Sequence, residues 1–138
     1  MGASAWNYYV PWQPDAGRAL GELREQVFRS GQYYKPHAGV RPSTIEELLE
    51  MNSEAGTHSV LDIFMVASRP DYGVAAPLSR DELIRYFGTE QPSRSTLDSN
   101  AAALEEVRAR RGPWSGTYVV VYDGGSPSEI LFFGQSGD

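Results

Sequence analysis

Thr117-Tyr-Val-Val-Val-Tyr122, Asp123-Gly-Gly-Ser-Pro-Ser128 and Glu129-Ile-Leu-Phe-Phe133 follow one another near the end of the chain and read as two strands joined by a turn. β-Branched and aromatic residues crowd both flanks, and Gly124 and Gly125 supply the positive φ that a tight hairpin turn demands. Tyr118, Val120 and Tyr122 share one face and Val119 and Val121 the other, so both parities are apolar, as in a sheet covered on two sides. The tyrosine-rich face also suits contact with a partner. The hairpin completes the sheet, which predicts one domain over residues 1–138 whose last strand cannot be trimmed without opening the core.

Upstream of the hairpin, Pro92-Ser93 opens a helix in which Leu97, Ala101, Leu104 and Val107 form one stripe before Gly112-Pro113 forbids continuation. Ser79-Arg-Asp-Glu82 has the spacing of a capping box and starts a helix with Leu83, Ile84 and Phe87 inward and Gly88 at its end. Ser59-Val-Leu-Asp-Ile-Phe-Met-Val66 is too short for periodicity to separate strand from helix; its β-branched residues and flanking loops favour a buried strand. Ser68-Arg-Pro-Asp-Tyr-Gly73 reads as loop, followed by Pro77, with no strand expected between them. Ser43-Thr-Ile-Glu46 is a further capping box, opening a helix to about Glu54 with Ile45, Leu48 and Leu49 buried and Glu46, Glu47, Glu50 and Glu54 as an acidic flank. Asp15 caps a helix to Ser30 with Leu20, Leu23 and Val27 at core spacing, and Ala5-Trp-Asn-Tyr-Tyr-Val10 is a first strand stopped by Pro11. The predicted fold is α+β: a small, mainly antiparallel four-stranded sheet with about four helices, in the order β-α-α-β-α-α-β-β.

A chain of 138 residues removes about two-thirds of its unfolded surface from water without covalent staples, and it contains no cysteine, which rules out thiolate catalysis and cysteine-ligated metals. Twelve basic residues against eighteen acidic ones give a net charge of −6, the wrong sign for a nucleic-acid binder. The dense basic cluster, Arg108, Arg110 and Arg111, falls at a helix C-terminus, where cations oppose the helix dipole. Lys35 is the one lysine among the basic residues, a bias typical of GC-rich bacterial coding. With no signal peptide or membrane span visible, a cytoplasmic protein without membrane contact is expected.

Few residues carry a chemical signal. His58 and Asp62 stand four apart and share a face in either a strand or a helix; an Asp that orients a His is half of many acid–base sites, and Arg69 is placed to meet an anionic substrate. The ordinary role of Asp62, the one charge in an apolar run, is to pair with an arginine or cap a helix, because a buried carboxylate without a partner is costly. His37 and His58 are the two histidines, and neither has metal-ligand spacing, so no metal is expected. Asp123-Gly124-Gly125 lacks the alternating oxygen ligands of a calcium loop. No phosphate-cradling glycine loop and no nucleophile elbow is present, and no cofactor is implied.

Loop-borne aromatics remain: Tyr33, Tyr34, Tyr72 and Trp114. Such side chains dominate interface hot spots, and loops are where they act. The expectation is a small acidic, non-enzymatic bacterial binding or regulatory protein, of the inhibitor or immunity type, that offers tyrosines and carboxylates to a protein partner. The alternative is a small enzyme with His58 as general base, oriented by Asp62.

Overall fold

The computed structural model describes residues 4–35 and 39–137. Five strands, β1 (Ala5–Pro11), β2 (Met65–Val66), β3 (Val74–Pro77), β4 (Ser115–Asp123) and β5 (Ser126–Gln135), form one sheet in the order β1-β5-β4-β3-β2. The pairs β1–β5 and β5–β4 are antiparallel, whereas β4–β3 and β3–β2 are parallel. Among the described residues five α-helices accompany it: α1 (Ala16–Ser30), α2 (Ile45–Met51), α3 (Arg80–Phe87), α4 (Arg94–Asp98) and α5 (Ala101–Arg111). The α+β class stands, but the expected four-stranded, mainly antiparallel sheet is a five-stranded mixed one.

The hairpin forms as its sequence dictates. Gly124 and Gly125, at φ 58° and 83°, make the two-residue connection, the backbone signature of a type I′ turn that matches strand twist. The turn is shorter than the Asp123–Ser128 expected, because Ser126 to Ser128 join β5. Alternation sends successive residues to two cores. Ile130 and Phe132 pack with Trp6, Leu20, Leu23, Leu48 and Leu61 under α1 and α2, while Leu131 and Phe133 pack with Val119, Val121, Leu97 and Leu104 under α4 and α5. All four of these β5 side chains are at most 1% exposed, so removing either phenylalanine ring would cost about 3–5 kcal/mol.

Local chemistry sets the helix limits. Asp15 accepts from the Arg18 N–H at 3.0 Å and caps α1. Ser79 and Glu82 complete the reciprocal capping box of α3. At α2 the cap is Thr44, which accepts from the Glu47 N–H, rather than Ser43, and the helix stops at Met51 instead of Glu54.

Three expectations fail for reasons visible in the residues. The Ser59–Val66 segment is not one strand: Ser59 Oγ accepts from the Leu61 N–H and the Asp62 carboxylate turns back to the Thr57 N–H. These local bonds wind Val60–Asp62 into a 3₁₀ turn and leave Met65–Val66 as edge strand β2. Val74–Pro77, where no strand was expected, is β3; its Val-Ala-Ala-Pro sequence has little β propensity, and pairing with β4 decides its state. The helix expected from Pro92 to Arg111 is two, because Asn100 bonds its side chain to the Thr96 carbonyl at 2.7 Å and interrupts the ladder after Asp98.

The arginine cluster does more than oppose a helix dipole. Arg108, 8% exposed, donates to the Gly134 and Trp6 carbonyls and to Glu105, tying α5 to β5 and β1. Arg111 donates to the carbonyls of Ala76 and Pro77 and to Thr117 Oγ1 across β3 and β4. Among the described residues no helix is long and apolar enough to cross a membrane.

Candidate functional site

The chain returns twice to the end of the sheet where β2, β3 and β4 begin, and there the Phe64 to Tyr72 region, Trp114 and the close of β5 meet. Asp62 lies beneath them at 7% exposure. Its Oδ1 accepts from the Thr57 N–H at 2.9 Å, and its Oδ2 from the same N–H at 3.1 Å and from the Ser136 hydroxyl at 2.6 Å. Burial pushes the Asp62 carboxyl above its ordinary range, against the opposing pull of the Ser136 and Thr57 hydrogen bonds and the neighbouring His58. Thr57 and Ser59 share a further hydroxyl–hydroxyl bond at 2.6 Å, so the turn around Asp62 is polar and closed.

Trp114 is wedged over this turn. A Cβ on Gly56 would lie 2.8 Å from both the indole and Asp62 Oδ2, and the indole leaves no room for one on Gly137. Both glycines therefore permit the close approach that seats the ring. Tyr72 leans on Trp114 at a centroid distance of 6.0 Å, and Phe64 on Tyr72 at 6.2 Å. Phe64 is 52% exposed, Met65 48% and Tyr72 63%, an apolar patch at the β2 edge of the sheet. Together with Leu49, Asn52, Ser53 and Asp62 the three rings enclose a hollow of about 160 Å³.

Asn52 contributes an anomaly. The residue is 4% exposed, its Nδ2 donates to the Tyr34 carbonyl at 2.6 Å, and its Oδ1 is buried without a hydrogen-bond partner. A buried acceptor left unmade costs about 1–3 kcal/mol, so such an atom calls for an explanation. Next to it, the Tyr34 ring stacks on His58 with centroids 4.3 Å apart and planes within 9°. Among the described residues the non-glycine positions with positive φ are His58 (54°) and Trp114 (63°), one adjoining the hollow and one lining it. Each carries about 1 kcal/mol or more of backbone strain, of the kind that collects at ligand clamps.

The residues nominated from sequence are thus divided. Tyr72 and Trp114 meet over Asp62, and Tyr34 with His58 forms the adjoining stack. Tyr33 stands apart, stacked on Phe28 at 6.2 Å with Lys35 5.4 Å from its centroid. Arg69 is exposed, between Ser68 and Pro70 of a second hollow. His37 lies outside the described residues. Sequence reading missed Asn52, Phe64, Ser136 and Gly137; Phe64 was hidden inside a presumed buried strand, and nothing local marks the other three.

That second hollow, about 430 Å³, is the larger, lined by Arg110, Arg111, Glu82, Ser79 and apolar residues. Its polar groups already have structural tasks: Arg111 holds strand carbonyls, Arg110 donates to the Tyr86 hydroxyl, and Glu82 closes the α3 capping box. Of these two, the smaller is the one whose lining includes, among the described residues, a buried acceptor without a donor, Asn52 Oδ1. Among the described residues, no group of three or more His, Asp or Glu side chains gathers to hold a metal ion. No family model matches the chain, and neither a curated protein nor a solved structure matches it.

Proposed function

We propose that this protein is a non-enzymatic binding or regulatory factor that docks a protein partner on the surface formed by Phe64, Met65, Tyr72 and Trp114, with the Tyr34–His58 stack at its border. The observation that carries the reading is the exposure of Phe64, Met65 and Tyr72 as one patch around a hollow, at 52%, 48% and 63%. Large aromatics with one face packed and one face free bring contact area at low conformational cost, which is how interface anchors act. Met65 and Val66 also lie at the sheet's edge, where strand β2 pairs on one side with β3.

The acid–base alternative has less support. The Asp62 carboxylate is held by Thr57 and Ser136, and the His58 ring lies flat on Tyr34. Both geometries suit a rigid platform better than proton transfer to a substrate.

The test is affinity capture from the source organism with the wild-type chain as bait, followed by the variants Phe64→Ala/Tyr72→Ala and Ile84→Ala. Ile84 is 45% exposed on α3, away from the patch, and serves as the control. The reading expects a partner retained by wild type and Ile84→Ala and lost, by roughly a hundred-fold in affinity, with the double variant, since each anchor contributes ~1–2 kcal/mol. Equal capture by all three baits refutes it.

A further inference from the structure

We infer that the hollow beneath Tyr72 and Trp114 is a receptacle for a guanidinium group and takes an arginine side chain of the protein partner. The inference rests on the docking reading above and deepens it by naming the anchor that enters the hollow.

Size sets the first limit. A volume of about 160 Å³ holds one ring or one side-chain head group, since a cavity of about 150 Å³ accommodates benzene. The polar lining sets the second. Three donors around it are engaged: Asn52 Nδ2 with the Tyr34 carbonyl, and the Thr57 N–H and the Ser136 hydroxyl with Asp62. Among the acceptors, Asn52 Oδ1 has no partner, and the Asp62 carboxyl, held by Thr57 and Ser136, is the acidic group of the lining. A ligand that brings donors suits both; one that brings acceptors meets an amide oxygen and a carboxylate.

The walls and the surrounding charge decide between donor groups. Phe64, Tyr72 and Trp114 line the hollow; aromatic rings attract cations, and a planar guanidinium both stacks on such rings and carries five N–H donors and no acceptor. An ammonium is compact and more strongly hydrated, so it gives up more on entry. The chain is acidic, at −6, and exposed Glu50 and Glu54 are next in sequence to the lining residues Leu49 and Ser53. The cationic or titratable groups acting on Asp62 are Arg24 of α1, His58, and the Tyr8 phenol of β1; Arg24 is tied to the Leu61 carbonyl at 3.0 Å. Asn52 Oδ1 is sealed from solvent, so reaching it requires lining side chains to move, and Phe64 and Tyr72, each more than half exposed, have room to do so.

The experiment is an NMR titration of the ¹⁵N-labelled full chain with Ac-Gly-Arg-Gly-NH₂ and with the same peptide carrying citrulline, the neutral isostere, or phenylalanine. Expected are saturable shifts of the Trp114 indole N–H and the Asn52 side-chain amide with the arginine peptide. Binding should fall roughly ten-fold with citrulline and by a similar factor in Tyr72→Ala, whose exposed ring is not needed for folding. Equal binding of the citrulline peptide, or stronger binding of the phenylalanine peptide, overturns the guanidinium assignment while leaving the docking surface intact. Absence of shifts with every peptide also overturns it, and partner capture then decides the broader reading separately. Self-association of the chain that the arginine peptide dissolves overturns the assignment to a foreign partner, because a second copy's arginine is then the occupant.

Discussion

Replacing Ser136 by Ala probes the polar turn on which the candidate site is built. Ser136 is fully buried, and its hydroxyl donates to Asp62 Oδ2 at 2.6 Å. The substitution removes one oxygen, leaves no cavity of consequence and takes a charge-assisted hydrogen bond from a carboxylate then held by Thr57 alone. Such bonds contribute about 1.5–3 kcal/mol, so a loss of about 2 kcal/mol is expected at neutral pH. For a chain of this length that lowers Tm by roughly 6–10 °C.

The pH dependence follows from the same bond. Burial raises the folded-state pKa of Asp62 above its unfolded value, so the folded state prefers the protonated form. Asp62's contribution is therefore most favourable below the ordinary carboxylate range and declines as pH rises toward the folded pKa. Removing Ser136 raises that pKa further, so the variant's deficit grows as pH rises, from about 1 kcal/mol where the carboxyl is protonated and a neutral bond is lost to about twice that where it is ionised. Urea melts at pH 4 and pH 8 measure it. A deficit below about 0.5 kcal/mol, or one equal at the two pH values, would refute the reasoning.

Other consequences are simpler to check. Tyr9, whose hydroxyl donates to Asp98 at 2.9 Å, is pushed up to about 12 by burial and by that carboxylate, so its share of stability is present below about pH 10 and lost as pH rises toward 12; the ultraviolet titration should lose its last tyrosine step in Tyr9→Phe. Ser79→Ala breaks the reciprocal cap of α3 and should cost about 1 kcal/mol in chemical denaturation. Gly137→Ala drives a methyl into the Trp114 indole and should cost about 1–3 kcal/mol with a shifted tryptophan emission, whereas Gly21→Ala, with open space around its Cβ position in α1, should stabilise by about 0.5–1 kcal/mol.

The elements legible in the sequence are those decided by neighbours along the chain. The Gly124–Gly125 turn, the Asp15 cap and the Ser79–Glu82 box each involve residues within a few positions, and all form. Strand β3 was invisible because Val-Ala-Ala-Pro is a strand only through pairing with β4, a partner some forty residues on in the chain. The Ser59–Val66 segment misled because its apolar residues suggested a strand while its Ser and Asp side chains bonded locally. The site divides along the same line. Tyr72, Trp114 and Asp62 stood out by residue type, yet their meeting depends on Ser136 reaching Asp62 across the fold and on Gly56 and Gly137 making room for an indole. Asn52 carried no local mark at all; its unmatched oxygen exists only once Tyr34 has claimed its amide nitrogen.

Hydrogen–deuterium exchange of the chain alone and bound to the captured partner tests the site most directly. The account predicts added protection confined to residues 49–58, 64–73 and 112–116, which surround the hollow, with little change in α3, α4 or the Gly124–Gly125 turn. Protection centred instead on α3 and the Arg110–Arg111 hollow, with the residues around Tyr72 unchanged, would contradict it.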